Sequence, residues 1–246
     1  MRILRLLAVF SALVIFLGCA GPVPDKNINV SEGVNPWTHL NWNNNPDNFQ
    51  FAVVGDRAGN MVPGIFKRAV DKLNLLQPEF VLSVGDLIDG GKDNTIEELK
   101  AMHDEFDSMV NELNMPFFYT VGNHDITNEG MNRLWKEKHG KPYYHFTYKD
   151  VLFLVLCTED LDYPEAGRTR ISDKQVEYFR DILEKNKDSR WTFVFMHKPQ
   201  WKPIYKGEPV KNWDVIESLL AGRSYTVIAG HQHEFSKTER NEMRYY

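Results

Sequence analysis

The sequence predicts an α/β fold organised as one large domain, and three observations carry that expectation. Short apolar runs of strand character alternate with segments of helical period. Five of those runs break off into polar loops, most of them opened by glycine. The 246 residues suit a single sheet-rich unit of the common size of about 200–250 residues, so two domains are not required. With 42% apolar and 26% charged residues, the composition is that of an ordinary water-soluble globular protein.

The amino terminus stands apart from that domain. Arg2 and Arg5 flank the start of an apolar run over residues 6–17, broken only by Ser11 and closed by Gly18-Cys19-Ala20. The run is shorter than the roughly 18 apolar residues a spanning helix needs, and it reads as an export signal. Phe16-Leu17-Gly18-Cys19 resembles a bacterial lipoprotein cleavage box, with Phe16 in place of the usual aliphatic residue. Removal of residues 1–18 and lipidation of Cys19 are therefore expected, giving an exported, membrane-anchored protein at the periplasmic or cell-surface side; the alternative is a plain signal peptide cut near Ala20. Residues 19–48, rich in Asn and Pro, read as a tether to the domain at 49–246, with Trp37 and Trp42 pinning its later part.

Within the domain, residues 51–54, 80–84, 117–121, 191–195 and 225–229 read as buried strands. Ile65, Ala69, Leu73 and Leu76 give residues 63–76 a helical face that ends before Pro78. Ile96, Leu99, Met102, Phe106, Met109 and Leu113 do the same for 94–113. Residues 143–148 and 151–158 are strands joined by Lys149-Asp150, a connection suited to a hairpin. Residues 172–186 and 214–220 complete the helices. The stretches 90–94, 128–141 and 160–170 read as loops without a recognisable signature. Cys157 reads as a packed strand residue, and with Cys19 as the other cysteine no internal disulfide is expected.

The polar loops carry the chemistry. They are Val54-Gly55-Asp56-Arg57, Gly85-Asp86-Leu87-Ile88-Asp89, Gly122-Asn123-His124-Asp125, Met196-His197-Lys198-Pro199 and Gly230-His231-Gln232-His233. All five follow predicted strands at their carboxyl ends, where sites in open α/β sheets lie. Any one of them alone is weak, since a strand ending in Gly-Asp usually marks a turn and a lone histidine is more often a hydrogen-bonded core residue. Three polar side chains directly after an apolar strand, as in Asn123, His124 and Asp125, are costly to bury unless something satisfies them. A mixed set of Asp, Asn and His is what two divalent ions require: one bridging carboxylate with neutral and anionic ligands around it.

In this order the five segments resemble the calcineurin-like metallophosphoesterase family. The resemblance implies two mixed β-sheets packed face to face with helices outside, a four-layer α/β/β/α sandwich. It implies two divalent ions, with manganese, iron or zinc expected, bridged by Asp86. Asp56 and His233 would complete the first site, and Asn123, His197 and His231 the second. His124 would protonate the leaving oxygen or steady the phosphate, oriented by Asp125. The sequence departs from the pattern where many members read Asp-x-His, because Asp56-Arg57-Ala58 puts Ala58 in the place of a ligand. Three outcomes compete: a weaker first site completed by water, a substitute ligand such as Asp89, or a single tightly held ion. Arg57 either holds a phosphate oxygen, which suits its bidentate guanidinium, or pairs with an acidic rim. The chain also stops soon after His233, where the family usually carries further strands, so the domain reads as either shortened or incompletely represented.

The formal charge of −5, more negative once the two leader arginines are removed, makes bulk nucleic acid a poor partner. A small phosphate mono- or diester fits better as substrate of a hydrolase. The alternative is a non-catalytic lipoprotein that binds a phosphorylated ligand through an incomplete metal site.

Overall fold

The computed structural model describes residues 28–30, 49–161, 171–202 and 212–246. The export signal, Cys19, Trp37 and Trp42 lie outside these residues, as does most of the predicted loop at 160–170.

Two sheets are formed, in the order the alternating pattern predicts. β2 (Ala52–Val54), β3 (Val81–Ser83) and β4 (Phe117–Phe118) make a parallel three-stranded sheet in the order β2-β3-β4. The larger sheet is mixed and seven-stranded. It comprises β1 (Ile28–Val30), β5 (Tyr144–Tyr148), β6 (Val151–Val155), β7 (Trp191–Met196), β8 (Tyr225–Ala229), β9 (Thr238–Arg240) and β10 (Met243–Tyr245). Its order is β1-β5-β6-β7-β8-β10-β9. β1 falls inside the segment read as a tether and pairs antiparallel with β5, so that part of the tether is an edge strand. The Lys149-Asp150 connection is a tight hairpin with φ of 48° and 60°, as a two-residue turn between twisted strands demands.

Period-2 alternation sends one face of each sheet toward the other. Phe80, Leu82, Val84 and Phe118 meet Phe146, Tyr148, Phe153, Val155 and Phe195 in one buried cluster. Phe80 is its hub, with ring centroids 5.4–5.7 Å from Phe118, Phe146, Tyr148 and Phe153. The alternate residues of β6, Leu152 and Leu154, face the helices instead.

Helices cover the outer faces. α1 (Ile65–Leu76) and α2 (Ile96–Val110) lie over the small sheet, joined by Phe66 and Phe106 at 4.8 Å. α2 starts at a capping box of Thr95 and Glu98. α4 (Asp173–Lys185) begins at the Ser172 cap and clamps the chain after β6, with Gln175 bonding both backbone groups of the buried Cys157. α5 (Trp213–Leu219) packs Trp213 on Tyr245 of β10. The stretch 128–141, read as a loop, contains a helix, α3 (Glu129–His139), capped by Asn128. Met131, Leu134, Trp135 and His139 give it a buried stripe. Gly130 and the many charged residues around these positions dilute that period in the sequence.

Candidate metal centre

All six predicted ligands leave the carboxyl ends of strands and converge. Asp56 follows β2, Asp86 follows β3 and Asn123 follows β4, while His197 follows β7 and both His231 and His233 follow β8. β4 is shorter than predicted because the ladder is continued by side chains: Thr120 N–H donates to Ser83 Oγ, and Thr120 Oγ1 donates to the Ser83 carbonyl.

The ligand atoms fall into two groups that share Asp86. Those of Asp86, His197 and His231 lie within 4.8 Å of one another, and so do those of Asp56, Asp86 and His233. Asn123 joins the first group, with Oδ1 at 3.0 Å from His197 Nε2. A carboxylate common to two ligand sets is what a bridged pair of ions needs.

The donor chemistry fits such ions. His197 Nδ1 lies 2.9 Å from the Val84 carbonyl, which fixes the tautomer with its lone pair on Nε2. Around Nε2 stand Asp86 Oδ2 at 3.2 Å, Asn123 Oδ1 at 3.0 Å and His231 Nδ1 at 3.2 Å. With the His197 ring neutral, Nε2, Asp86 Oδ2 and Asn123 Oδ1 face one another as acceptors, an arrangement that a cation among them relieves. On the other side His233 Nε2 is 3.3 Å from Asp56 Oδ2, which also accepts the His231 N–H at 2.6 Å.

Electrostatics divides the set. Burial raises the Asp56 carboxyl above its ordinary value, partly countered by His197. Burial also pushes Asp86 up, but the His197 hydrogen bond and charge and the His124 N–H outweigh it and hold the carboxyl low. The same contact works in reverse on His197, where burial is outweighed by Asp86 and the imidazole is raised. His231 is pulled to about 4, first by burial and then by His197 and Lys198, so it is neutral with a free lone pair at neutral pH.

The backbone is strained around these atoms. Asp86, His231 and His233 adopt φ of 55°, 73° and 51°, left-handed conformations that non-glycine residues rarely hold outside functional sites. A Cβ at Gly122 would collide with Asp86 Oδ1, and one at Gly230 with Asp56 Oδ1, which explains glycine before Asn123 and before His231.

His124 stands beside the two groups, its N–H donating to Asp86 Oδ1 at 2.8 Å and its Nδ1 3.2 Å from the Gly90 carbonyl. The expected pairing of His124 with Asp125 is not formed. Asp125 is fully buried, and its two oxygens accept the backbone N–H groups of Asp86, Leu87, Ile88 and Gly122 at 2.8–3.2 Å. Burial and then Asp86 raise its carboxyl to about 7 against the pull of those N–H groups. Asp89 Oδ1 lies 4.0 Å from His124 Nδ1.

One further expectation is corrected. Arg57 does not offer its guanidinium to the ligand cluster: Nη2 binds both oxygens of Glu105 on α2, Nη1 donates to the Leu87 carbonyl, and the group lies over the Phe106 ring. The salt-bridge reading of Arg57 therefore holds. Asp89, the substitute ligand considered for the missing imidazole, belongs to neither ligand group and accepts the Gly59 N–H at 2.9 Å. Ala58 itself is buried.

A cavity of about 320 Å³ opens beside the cluster, lined by Gly90, Asn123, His124, Thr127, Glu159, Lys198 and His231. Glu159 and Lys198 were not singled out from the sequence. Lys198 directly follows a ligand and Glu159 follows the strand beside it, so the carboxyl-end rule that found the ligands points to both.

Among solved structures, a dimetal phosphatase from Danio rerio is 13% identical with a TM-score of 0.59, covering 80% of this chain and 86% of its own. GAP50, the anchor in the inner membrane complex of Plasmodium, is 20% identical with a TM-score of 0.57, covering 80% of this chain and 70% of its own. At these identities the likeness establishes the fold alone. A comparison with curated proteins gave no match. The model of the calcineurin-like phosphoesterase family matches residues 38–235, a span that contains all six candidate ligands, His124 and strands β2 to β8. On that match, over a fold and a ligand set that agree with it, the chain belongs to the calcineurin-like phosphoesterase family.

Proposed function

We propose that the protein hydrolyses phosphate esters at a centre of two divalent ions, manganese, iron or zinc, outside the cytoplasm. The observation that carries this reading is the pair of ligand groups joined through Asp86, with the His124 imidazole beside them. Asp56, Asp86 and His233 would hold one ion; Asp86, Asn123, His197 and His231 would hold the other. An all-nitrogen and oxygen set without sulfur suits these metals. Bound there, the ions supply Lewis-acid polarisation of the phosphoryl group and lower the pKa of a water nucleophile.

The remaining chemistry belongs to side chains. His124 is partly open to the cavity and is held at Nδ1 by the Gly90 carbonyl, so that Nε2 of the doubly protonated ring would give its proton to the departing alkoxide and leave the ring neutral. Asp125 acts at one remove, by fixing the loop that carries Asp86. The leader-like run over residues 6–17 and the lipoprotein-like box that ends at Cys19 support placing the reaction at a membrane surface.

Turnover of a chromogenic phosphate ester with added manganese tests the reading. His124→Ala is expected to keep its metal and to lose about 10²–10⁴-fold in kcat, the range of general acid catalysis. No turnover by the metal-loaded wild type would refute the function, and an unchanged rate in the variant would remove His124 from the chemistry.

A further inference from the structure

A buried ion pair forms one wall of the cavity. Lys198 Nζ lies 2.6 Å from Glu159 Oε1, and the two side chains are only 4% and 3% exposed. Sheet order places them together, because β6 and β7 run parallel with Val155 opposite Phe195, and Glu159 and Lys198 lie just beyond the carboxyl ends of these strands. Thr158 Oγ1 ties the two, accepting the Lys198 N–H at 3.3 Å and donating to Glu159 Oε1 at 3.4 Å. Both residues line the cavity with Asn123, His124 and His231.

Stability does not explain this arrangement. Taking two charges out of water generally costs as much as their attraction returns, and an apolar pair of the same volume does as well or better. A fixed cation in the wall of a cavity that ends on a phosphoryl-binding centre is suited to an anionic oxygen.

We propose that Lys198, held in place by Glu159, binds a charged oxygen of the substrate phosphoryl group and makes the site selective for phosphate monoesters over diesters. The proposal rests on the phosphoesterase reading and narrows its substrate class. A monoester carries a charge of about −1.5 to −2 at neutral pH and presents three unsubstituted oxygens. A diester has a single charge and two such oxygens, and its second organic group would be pressed against a buried ion pair that it cannot hydrogen-bond. Glu159 adds order: by fixing the four-carbon stem it removes rotamer freedom that binding would otherwise have to remove.

Lys198→Met keeps the stem and deletes the charge. With manganese present, kcat/KM for p-nitrophenyl phosphate should fall tenfold to a hundredfold, and that for bis(p-nitrophenyl) phosphate by less than about threefold, the range expected of a lost charged hydrogen bond. The dissociation constant of inorganic phosphate, read by calorimetry without turnover, should weaken by the same factor as the monoester. Lys198→Arg should retain most of the selectivity. If Lys198→Met does not fold, Glu159→Gln combined with Lys198→Met removes both charges and is read in the same way. Equal loss on the two esters, or unchanged phosphate affinity at full metal content, overturns the proposal. A wild type that hydrolyses neither ester would refute the phosphoesterase reading, while phosphate affinity in wild type and variant would still decide the role of Lys198.

Discussion

Asp86 and Asp125 are both buried and are joined by a single backbone hydrogen bond, yet their side chains have opposite duties. Asp86 turns its oxygens to the metal groups, and Asp125 turns both of its oxygens to backbone N–H donors. Deleting each should therefore fail differently. Asp86→Ala is expected to lose metal at both sites with the domain still folded, as metal analysis and near-UV circular dichroism would show; full occupancy at both sites would sink the bridging assignment. Asp125→Ala leaves four N–H groups without their acceptor, and at about 1–3 kcal/mol for each buried unsatisfied donor it should destabilise the domain itself, by several kcal/mol before relaxation and water reduce the figure. A urea midpoint equal to that of the wild type would contradict that role. The convergence of the six candidate ligands was legible because each combines a ligand residue type with a strand end. The partners of His124 and Arg57 were not, because Gly-Asn-His-Asp fixes neighbours in sequence while the turn at Gly122 decides which side chain faces which wall, and nothing local to Arg57 announces Glu105 on a distant helix.

The elements were mostly legible, with boundaries within a few residues, wherever an apolar period and a cap coincided. α2 and α4 show this through Thr95 and Ser172. α3 failed because its stripe is short and partly histidine, which reads as polar in sequence and is buried here. His139 stacks on Tyr119 at 4.3 Å, and His103 of α2 lies 5.5 Å from it, with Nδ1 buried and without a hydrogen-bond partner among the described residues. Burial pulls His103 to about 4, with Asp107 opposing, and His139 lower still. The unfolded chain therefore takes up protons at a higher pH than the folded one. The stability held by a neutral His103 is complete above about pH 6.5 and is lost as pH falls to about 4, an amount of about 3 kcal/mol at 1.36 kcal/mol per unit. In metal-free protein, urea midpoints at pH 7 and pH 5 should differ by less in His103→Leu than in wild type. An equal difference would mean that the α2–α3 contact is not the acid-sensitive element.

At the scale of the whole molecule, the ligands divide between the sheets. Asp56, Asp86 and Asn123 come from the ends of the small one, and His197, His231 and His233 from the large one. Each ion would draw on both and so act as a staple across the sandwich. The two-sheet arrangement was legible through family resemblance, but the seven-to-three division of strands was not, since β1 and β9 are short and carry little apolar period. The staples should be unequal. The group of Asp86, Asn123, His197 and His231 has a fully buried imidazole at its centre, whereas the group of Asp56, Asp86 and His233 has one imidazole, 39% exposed, and the place of a second is filled by the buried Ala58. Manganese titration is therefore expected to show a tight and a weak site. Binding to the folded state alone stabilises by about 2.7 kcal/mol for each site at a hundredfold excess over its Kd, which at roughly 2–4 °C per kcal/mol is a clear rise in Tm. The rise should come in two stages as manganese is added, and His233→Ala should abolish the second stage while sparing the first. Ala58→His should not restore the weak site, because an imidazole at that buried position would overpack the domain before it could reach the metal. A single-stage rise in the wild type would show that the two sites are not unequal, and a second stage tightened by Ala58→His would show that the buried position can accept an imidazole and present it to the metal.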